Sequence, residues 1–350
     1  MENLTEAAVL YETSQPLRLC GLIVPEPGPG QVVVDIAYSG LCHTQLGEVR
    51  GRRGVDRFLP HTLGHEGTGT VVAVGEGVGK VRPGDPVVLS WLKGSGCDVA
   101  GMVYQSADGS GPVNSGAIST FMRRTVTCES RVTPIPAIVP LREAALFGCA
   151  VPTGCGIVGN DAGVKAGESV AVFGVGGIGL SAVLGCVMVG AAPIIAVDTN
   201  PGKLAKAGEL GATHLIDAAA VDPLAEIERI TEGRGVDYAI EAAGKTSVME
   251  TAFRAVRNFG GLCVVAGNPE PGEMIRLNPF DLIRGKRIIG SWGGGTDPDR
   301  DIPRYVEAFL ANRLPLQALL TQTYPLARIN DALDDLEAGR IVRALIDMAL

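Results

Sequence analysis

From Ser169 to Val197 the chain runs 29 residues without a charged side chain. On length alone such a stretch could span a bilayer. It contains six glycines and Pro193, however, and divides into three pieces. Residues 169–173 read as a short buried strand, 177–190 as a buried helix and 193–197 as a second strand. An apolar strand–helix–strand run predicts a parallel sheet with a buried crossover helix, and no membrane association.

The pattern continues after that unit. Residues 169–173, 193–197, 212–216, 237–242, 261–266 and 287–292 read as six strands. Helical segments at 201–210, 223–232 and 246–259 separate them. Strands alternating with helices imply a doubly wound parallel sheet. The first 130 residues read differently. Gln31-Val-Val-Val-Asp-Ile-Ala-Tyr38 and Gly67-Thr-Gly-Thr-Val-Val-Ala-Val74 are β-branched runs between glycine- and proline-rich turns. Short strands of this kind predict a barrel-like β domain. Residues 94–119 lack periodicity and read as a long surface loop. The remainder, from about 293, is helical and then extended. It ends in Ile341-Val-Arg-Ala-Leu-Ile-Asp347, a strand that could return to the first domain.

Composition excludes several functions. With 350 residues the chain is long enough for about two domains. Its formal net charge is −8 and it holds no basic run, so a nucleic-acid partner is not expected. The N-terminal octapeptide has two acids and no basic stretch, unlike a secretory leader. The eight cysteines stand at 20, 42, 97, 128, 149, 155, 186 and 263. None forms a compact knuckle, and reduced thiols in a cytoplasmic protein are expected.

Gly174-Val-Gly-Gly-Ile-Gly179 is the strongest local motif. A lone G-x-G-x-x-G means little in a chain with 48 glycines. Here Gly174, Gly176, Gly177 and Gly179 follow an apolar strand and open a helix, and Asp198 ends the next strand. Small residues let the backbone approach a pyrophosphate at a helix N-terminus. Asp198 would accept hydrogen bonds from ribose hydroxyls and repel a 2′-phosphate, which favours NAD over NADP. Lys203 is a candidate ribose contact or a solvated helix residue.

Three further segments stand out: Gly40-Leu-Cys42-His43-Thr44, Gly64-His65-Glu66-Gly67 and Gly148-Cys149-Ala-Val-Pro-Thr153-Gly154. Two thiolates and an imidazole suit Zn²⁺ with a fourth position open. Spacing alone does not establish a site, since each residue taken singly is more often a core thiol or a satisfied histidine.

Together, in this order, these segments resemble the zinc-dependent alcohol dehydrogenases of the medium-chain dehydrogenase/reductase superfamily, over essentially the whole length. The resemblance implies a GroES-like catalytic β domain in two parts, residues 1–152 and 292–350. It implies a Rossmann NAD-binding domain at 153–291 between them, with a cleft active site. Cys42, His65 and Cys149 match the catalytic zinc ligands, and Glu66 a carboxylate behind the metal. Thr44 matches the hydroxyl that bonds the substrate oxygen and passes its proton outward. His43 matches a position near the pyrophosphate, Thr153 and Ile178 positions lining the nicotinamide, and Arg343 a basic residue reaching the pyrophosphate. The implied activity is reversible oxidation of a small alcohol to an aldehyde or ketone, with zinc as Lewis acid and hydride passing to nicotinamide. A homodimer or homotetramer paired at 287–292 is implied too.

Three positions depart from the family. Many relatives bind a structural zinc through four close cysteines, but only Cys97 is present in that interval, so one catalytic zinc and no structural zinc are expected. Gln45 stands where relatives often carry an aspartate bracing the histidine ligand. Gly47 stands where a histidine often finishes a proton relay. A polyol, cyclitol or sugar dehydrogenase on the same scaffold is the alternative enzyme. A non-catalytic NAD-binding scaffold is the alternative of another class.

Overall fold

A computed structural model of the chain describes residues 3–350. The first two residues of the acidic N-terminal octapeptide, on which the reading against a leader partly falls, lie outside the described residues. The rest forms two units. The first comprises the described chain through Cys149, then Asp297–Asn312 and Leu316–Leu350. The second comprises Ala150–Thr296 and Arg313–Pro315.

In the second unit the uncharged stretch becomes strand Val170–Phe173, helix Gly177–Val189 and strand Ile194–Asp198. The helix is buried from Gly179 through Cys186, which is why it needs no polar face. Gly190, at φ 75°, ends it in the left-handed conformation that glycine adopts without penalty. Six parallel strands form one sheet. Their order is His214–Asp217, Ile194–Asp198, Val170–Phe173, Tyr238–Glu241, Leu262–Val265 and Arg287–Gly290. In chain order this is the doubly wound dinucleotide-binding arrangement, with ligands expected at the carboxyl ends where the order reverses. Phe173, Ile195, Phe253 and Cys263 lie in its core. Among the described residues no single helix is long and apolar enough to cross a membrane.

The division between units falls after Cys149 and after Thr296, rather than at 152 and 291. The cause is local packing. Gly154 presses on the fingerprint helix so closely that a Cβ there would sit 2.4 Å from the Ile178 carbonyl oxygen. Thr296 Oγ1 donates to the Pro152 carbonyl at 2.9 Å.

The first unit holds a closed barrel of Leu4–Leu10, Arg18–Ile23, Val103–Ser106, Pro112–Asn114 and His61–Thr62. A larger sheet joins Gln31–Gly40, Glu66–Val74 and Pro86–Ser90 to the last strand, Ala344–Asp347. That strand pairs antiparallel with Gln31–Gly40, so the chain's end does return to its beginning. The expected surface loop at 94–119 is corrected here, because it supplies two barrel strands. Tyr104 is fully buried in one of them, and its hydroxyl accepts the Val126 N–H at 2.8 Å. The runs are too short for alternation to stand out in the sequence.

Around Cys97 the chain is fastened by carboxylates. Glu129, 3% exposed, accepts the N–H groups of Gly79 and Lys80 at 2.6 Å and of Cys97 at 2.8 Å. Asp299 accepts the Ser95 N–H at 2.5 Å and pairs with Lys80. Burial alone would raise the Glu129 pKa, but those three N–H groups outweigh it and hold the carboxyl below its ordinary range. A depressed folded pKa stabilises the protein above the ordinary carboxylate range and is lost as pH falls through the depressed value. Glu129→Gln is expected to cost about 1.5–3 kcal/mol near neutral pH, the range for hydrogen bonds to a charged group. It should also blunt the acid limb of stability, as measured by denaturant unfolding across pH.

Candidate active site

The strand Gln31–Gly40 delivers the chain to Leu41, fully buried, whose N–H donates to the Ala344 carbonyl at 3.1 Å. Cys42 then turns into the helix His43–Val49, which buries Gln45, Leu46 and Val49. The first thiol is thereby fixed between a strand and a helix. His65 directly precedes the strand Glu66–Val74. The Glu66 carbonyl accepts from Ser39 Oγ at 3.2 Å and Thr120 Oγ1 at 3.1 Å, which pins the start of that strand. Cys149 follows the turn Ala145–Gly148, whose last carbonyl accepts from Ser90 Oγ at 2.7 Å. Glycine is required around Glu66 for space. A Cβ on Gly40 would lie 2.5 Å from the Glu66 carboxyl carbon, and one on Gly148 would lie 2.7 Å from its Cβ.

Cys42, His65, Glu66 and Cys149 converge, with one ligand atom from each all within 4.8 Å of one another. Cys149 is held well above the ordinary thiol range and Cys42 well below it, each because of its hydrogen bond with the other. Metal binding requires thiolates, so a divalent cation would displace the thiol protons and take both sulfurs. His65 Nε2 is buried without a partner, as is Gln45 Oε1. The Gln45 carboxamide bonds His65 Nδ1. A half-turn of the amide places its oxygen on an Nδ1–H and leaves Nε2 as a lone pair for a metal. Burial would lower the proton affinity of His65, but the adjacent Cys42 and Glu66 raise it overall. Two sulfurs, an imidazole and a nearby carboxylate, with an orphaned ring nitrogen, fit a zinc ion.

Arg343 behaves otherwise than expected. It is 3% exposed, pairs with Glu66 and donates to the Leu41 carbonyl at 3.2 Å. Its place is behind the ligand group, where Glu66 and the Leu41 carbonyl take its donors. Burial works against its charge, but Glu66 and the two cysteines raise its pKa above the usual value. Burial raises that of Glu66, with Arg343 pulling the other way. The Trp91 ring stands edge-on to His65, centroids 6.4 Å apart. The sequence reading missed Trp91, Ser90 and the Glu66–Arg343 pair. Thr44 lies on the same short helix as His43, half-buried where His43 is exposed.

The remaining candidates belong to the second unit. Gly174 has φ 84° and its missing Cβ would sit 2.7 Å from Ala243 N. Nothing lies within 4 Å of the position where a Cβ on Gly176 would be, so the loop is open there. Gly177 and Ile178 begin the helix, and Gly179 packs tightly enough that a Cβ would lie 2.0 Å from the Gly174 carbonyl oxygen. Asp198 accepts the N–H of Val175 at 2.8 Å and of Asn200 at 2.9 Å, tying the strand end to the loop. Lys203 is in the first turn of helix Pro201–Glu209. Thr153 Oγ1 is buried without a partner.

Residues 28–137 match the family model described as the alcohol dehydrogenase GroES-like domain, and 177–311 that described as zinc-binding dehydrogenase. An S-(hydroxymethyl)glutathione dehydrogenase of Synechocystis is 34% identical, over 98% of this chain and 99% of its own length. Among solved structures, an alcohol dehydrogenase zinc-binding domain protein from Burkholderia ambifaria is 33% identical with a TM-score of 0.92, covering 98% of each chain. Benzyl alcohol dehydrogenase from Acinetobacter calcoaceticus is 29% identical with a TM-score of 0.90, covering 98% of this chain and 99% of that one.

Proposed function

We infer that this chain, which belongs to the zinc-dependent alcohol dehydrogenases of the medium-chain superfamily, oxidises its alcohol reversibly with NAD and one zinc ion per chain. The observation that carries the reading is the convergence of Cys42, His65 and Cys149, with His65 Nε2 left unpartnered. Zinc, when bound, supplies Lewis acidity to the alcohol or carbonyl oxygen, and the nicotinamide accepts or returns the hydride. The Thr44 hydroxyl takes the substrate proton and passes it outward. Gly47 offers no side chain to continue that path, so the proton leaves to water or a cofactor hydroxyl. Gln45 braces His65 without adding charge, which leaves the metal more electrophilic than an aspartate would.

Asp198 accepts the adenine-ribose hydroxyls and disfavours a 2′-phosphate, with Lys203 beside it. The open loop at Gly176 and the helix beginning at Gly177 receive the pyrophosphate. His43 adds a donor to the pyrophosphate, and Thr153 and Ile178 line the nicotinamide. The single-zinc count rests on Cys97 being the one cysteine in its interval, with its N–H held by Glu129 at 2.8 Å. The ligand thiols must stay reduced, which favours a cytoplasmic setting. The edge strand Arg287–Gly290 and the adjacent Trp292, 80% exposed, favour pairing of two copies, as dimer or tetramer.

Oxidation of simple alcohols with NAD, abolished by chelation and restored by zinc, tests the reading. Chelator-insensitive inertness with intact NAD binding contradicts it. Asp198→Ala is expected to cut the kcat/KM preference for NAD over NADP by about tenfold or more, the scale for losing hydrogen bonds to a charged acceptor. Steady-state kinetics with both coenzymes checks this.

A further inference from the structure

A cavity of about 540 Å³ opens beside the ligand group, and Gln45, Glu48 and His65 stand in its wall. Glu48 is the one acidic residue of the helix His43–Val49. It follows Thr44 by four positions, so the two side chains share one face of the helix, a turn apart. Position 47, three residues after Thr44, lies on that face too. It is glycine, and nothing lies within 4 Å of where its Cβ would be. The face between the Thr44 hydroxyl and the Glu48 carboxylate is therefore open at Gly47. Side chains so placed are about 5–6 Å apart at Cβ, a gap that one water with a polar group at each end bridges.

The Glu48 carboxylate is half-buried and oriented. Arg53 Nη1 donates to Oε1 at 3.2 Å, and Oε2 has no hydrogen bond among the described residues. Burial raises its proton affinity and Asp56 adds to that. Arg53, His65 and His61 draw it the other way, but burial prevails. The helix Ile329–Glu337 packs on His43–Val49 as well, and its Asp334 and Glu337 are held by Arg50 at 2.6 and 2.7 Å. A carboxyl shifted upward accepts a proton more readily near neutral pH than an ordinary one does.

We propose that Glu48 accepts the proton released from the alcohol, by way of Thr44 and one intervening water, in place of a side chain at position 47. The proposal rests on the alcohol-oxidation reading above and names a further residue of that reaction. The alcohol O–H bond breaks, and the hydride of the adjacent C–H bond passes to the nicotinamide. Thr44 Oγ takes the proton and gives its own to the water, and the water protonates Glu48 Oε2. The half-buried carboxyl then returns the proton to solvent. In the reducing direction each transfer reverses, and Glu48 supplies the proton.

The test follows alcohol oxidation across pH with zinc-loaded enzyme and NAD, in wild type, Glu48→Gln, Glu48→Ala and Arg53→Met. Glu48→Gln should lower kcat about a hundredfold with little change in KM, the lower end of the range for a positioned proton acceptor. The acid limb of the wild-type profile, where Glu48 becomes protonated, should vanish in that variant. Arg53→Met takes a cation away from the carboxylate, so its limb should move to higher pH while the rate on the alkaline side is kept. Added formate or imidazole should restore Glu48→Ala in proportion to its concentration, which a packing role could not produce. Carbon-13 NMR of labelled glutamate, with Glu48→Gln to assign the signal, should show the carboxyl titrating at the pH of the wild-type limb. An unaltered profile in Glu48→Gln, a loss that no added base restores, or a carboxyl titrating elsewhere overturns the proposal while alcohol oxidation stands. If wild-type protein oxidises no alcohol, the functional reading fails and this proposal falls with it.

Discussion

Cys149→Ala should lose its zinc and with it at least about a thousandfold in kcat/KM, since a metal acting as Lewis acid supplies several kcal/mol of stabilisation. The expectation follows from the geometry of the group. Cys42, His65 and Cys149 offer ligand atoms that lie within 4.8 Å of one another, so one cation is bound by both sulfurs. Without the second sulfur the ion retains Cys42 and His65, too few for a tight site. The nucleotide fingerprint belongs to the other unit, so calorimetric NAD binding should survive the substitution. Metal analysis, kinetics and calorimetry on one preparation separate the outcomes. Loss of NAD binding together with zinc would point to a folding defect, and full activity without zinc would remove the metal from the chemistry.

Arg343→Met should destabilise the protein by about 3–5 kcal/mol, the cost of leaving one member of a buried ion pair without its partner. Glu66 is fully buried, and its pKa is already raised by burial against the pull of Arg343. Removing the arginine leaves the carboxylate to take a proton or to be strongly penalised. Either outcome alters the electrostatics directly behind the metal ligands. Glu66→Gln combined with Arg343→Met should recover most of the stability, because no charge is then orphaned. Denaturant unfolding of the two single variants and the double variant forms the cycle. A single-variant loss below about 1 kcal/mol, with no recovery in the double, would show the pair to be incidental rather than structural.

The uncharged stretch was readable because a buried βα unit leaves no polar face and its glycines mark the turns. The same logic gave six strands in the right succession, although His214–Asp217 and Arg287–Gly290 begin or end two residues from where periodicity placed them. The converging ligands were readable as words in the chain, each a soft donor set among small residues. Arg343 was not. Its partner Glu66 is 277 residues away, and an arginine near a terminal strand looks like any surface charge until the topology buries it. The barrel strands at 103–106 and 112–114 escaped because a run of three or four residues carries too few alternations to be distinguished from a polar loop.

The most direct measurement is zinc K-edge X-ray absorption on protein loaded with one equivalent of the metal. Coordination by two sulfurs at about 2.3 Å together with nitrogen or oxygen neighbours at about 2.0–2.2 Å is the expected result. Replacing Cys42 or Cys149 should remove one sulfur from that shell. A shell without sulfur, or one unchanged by either substitution, would place the metal elsewhere and contradict the account.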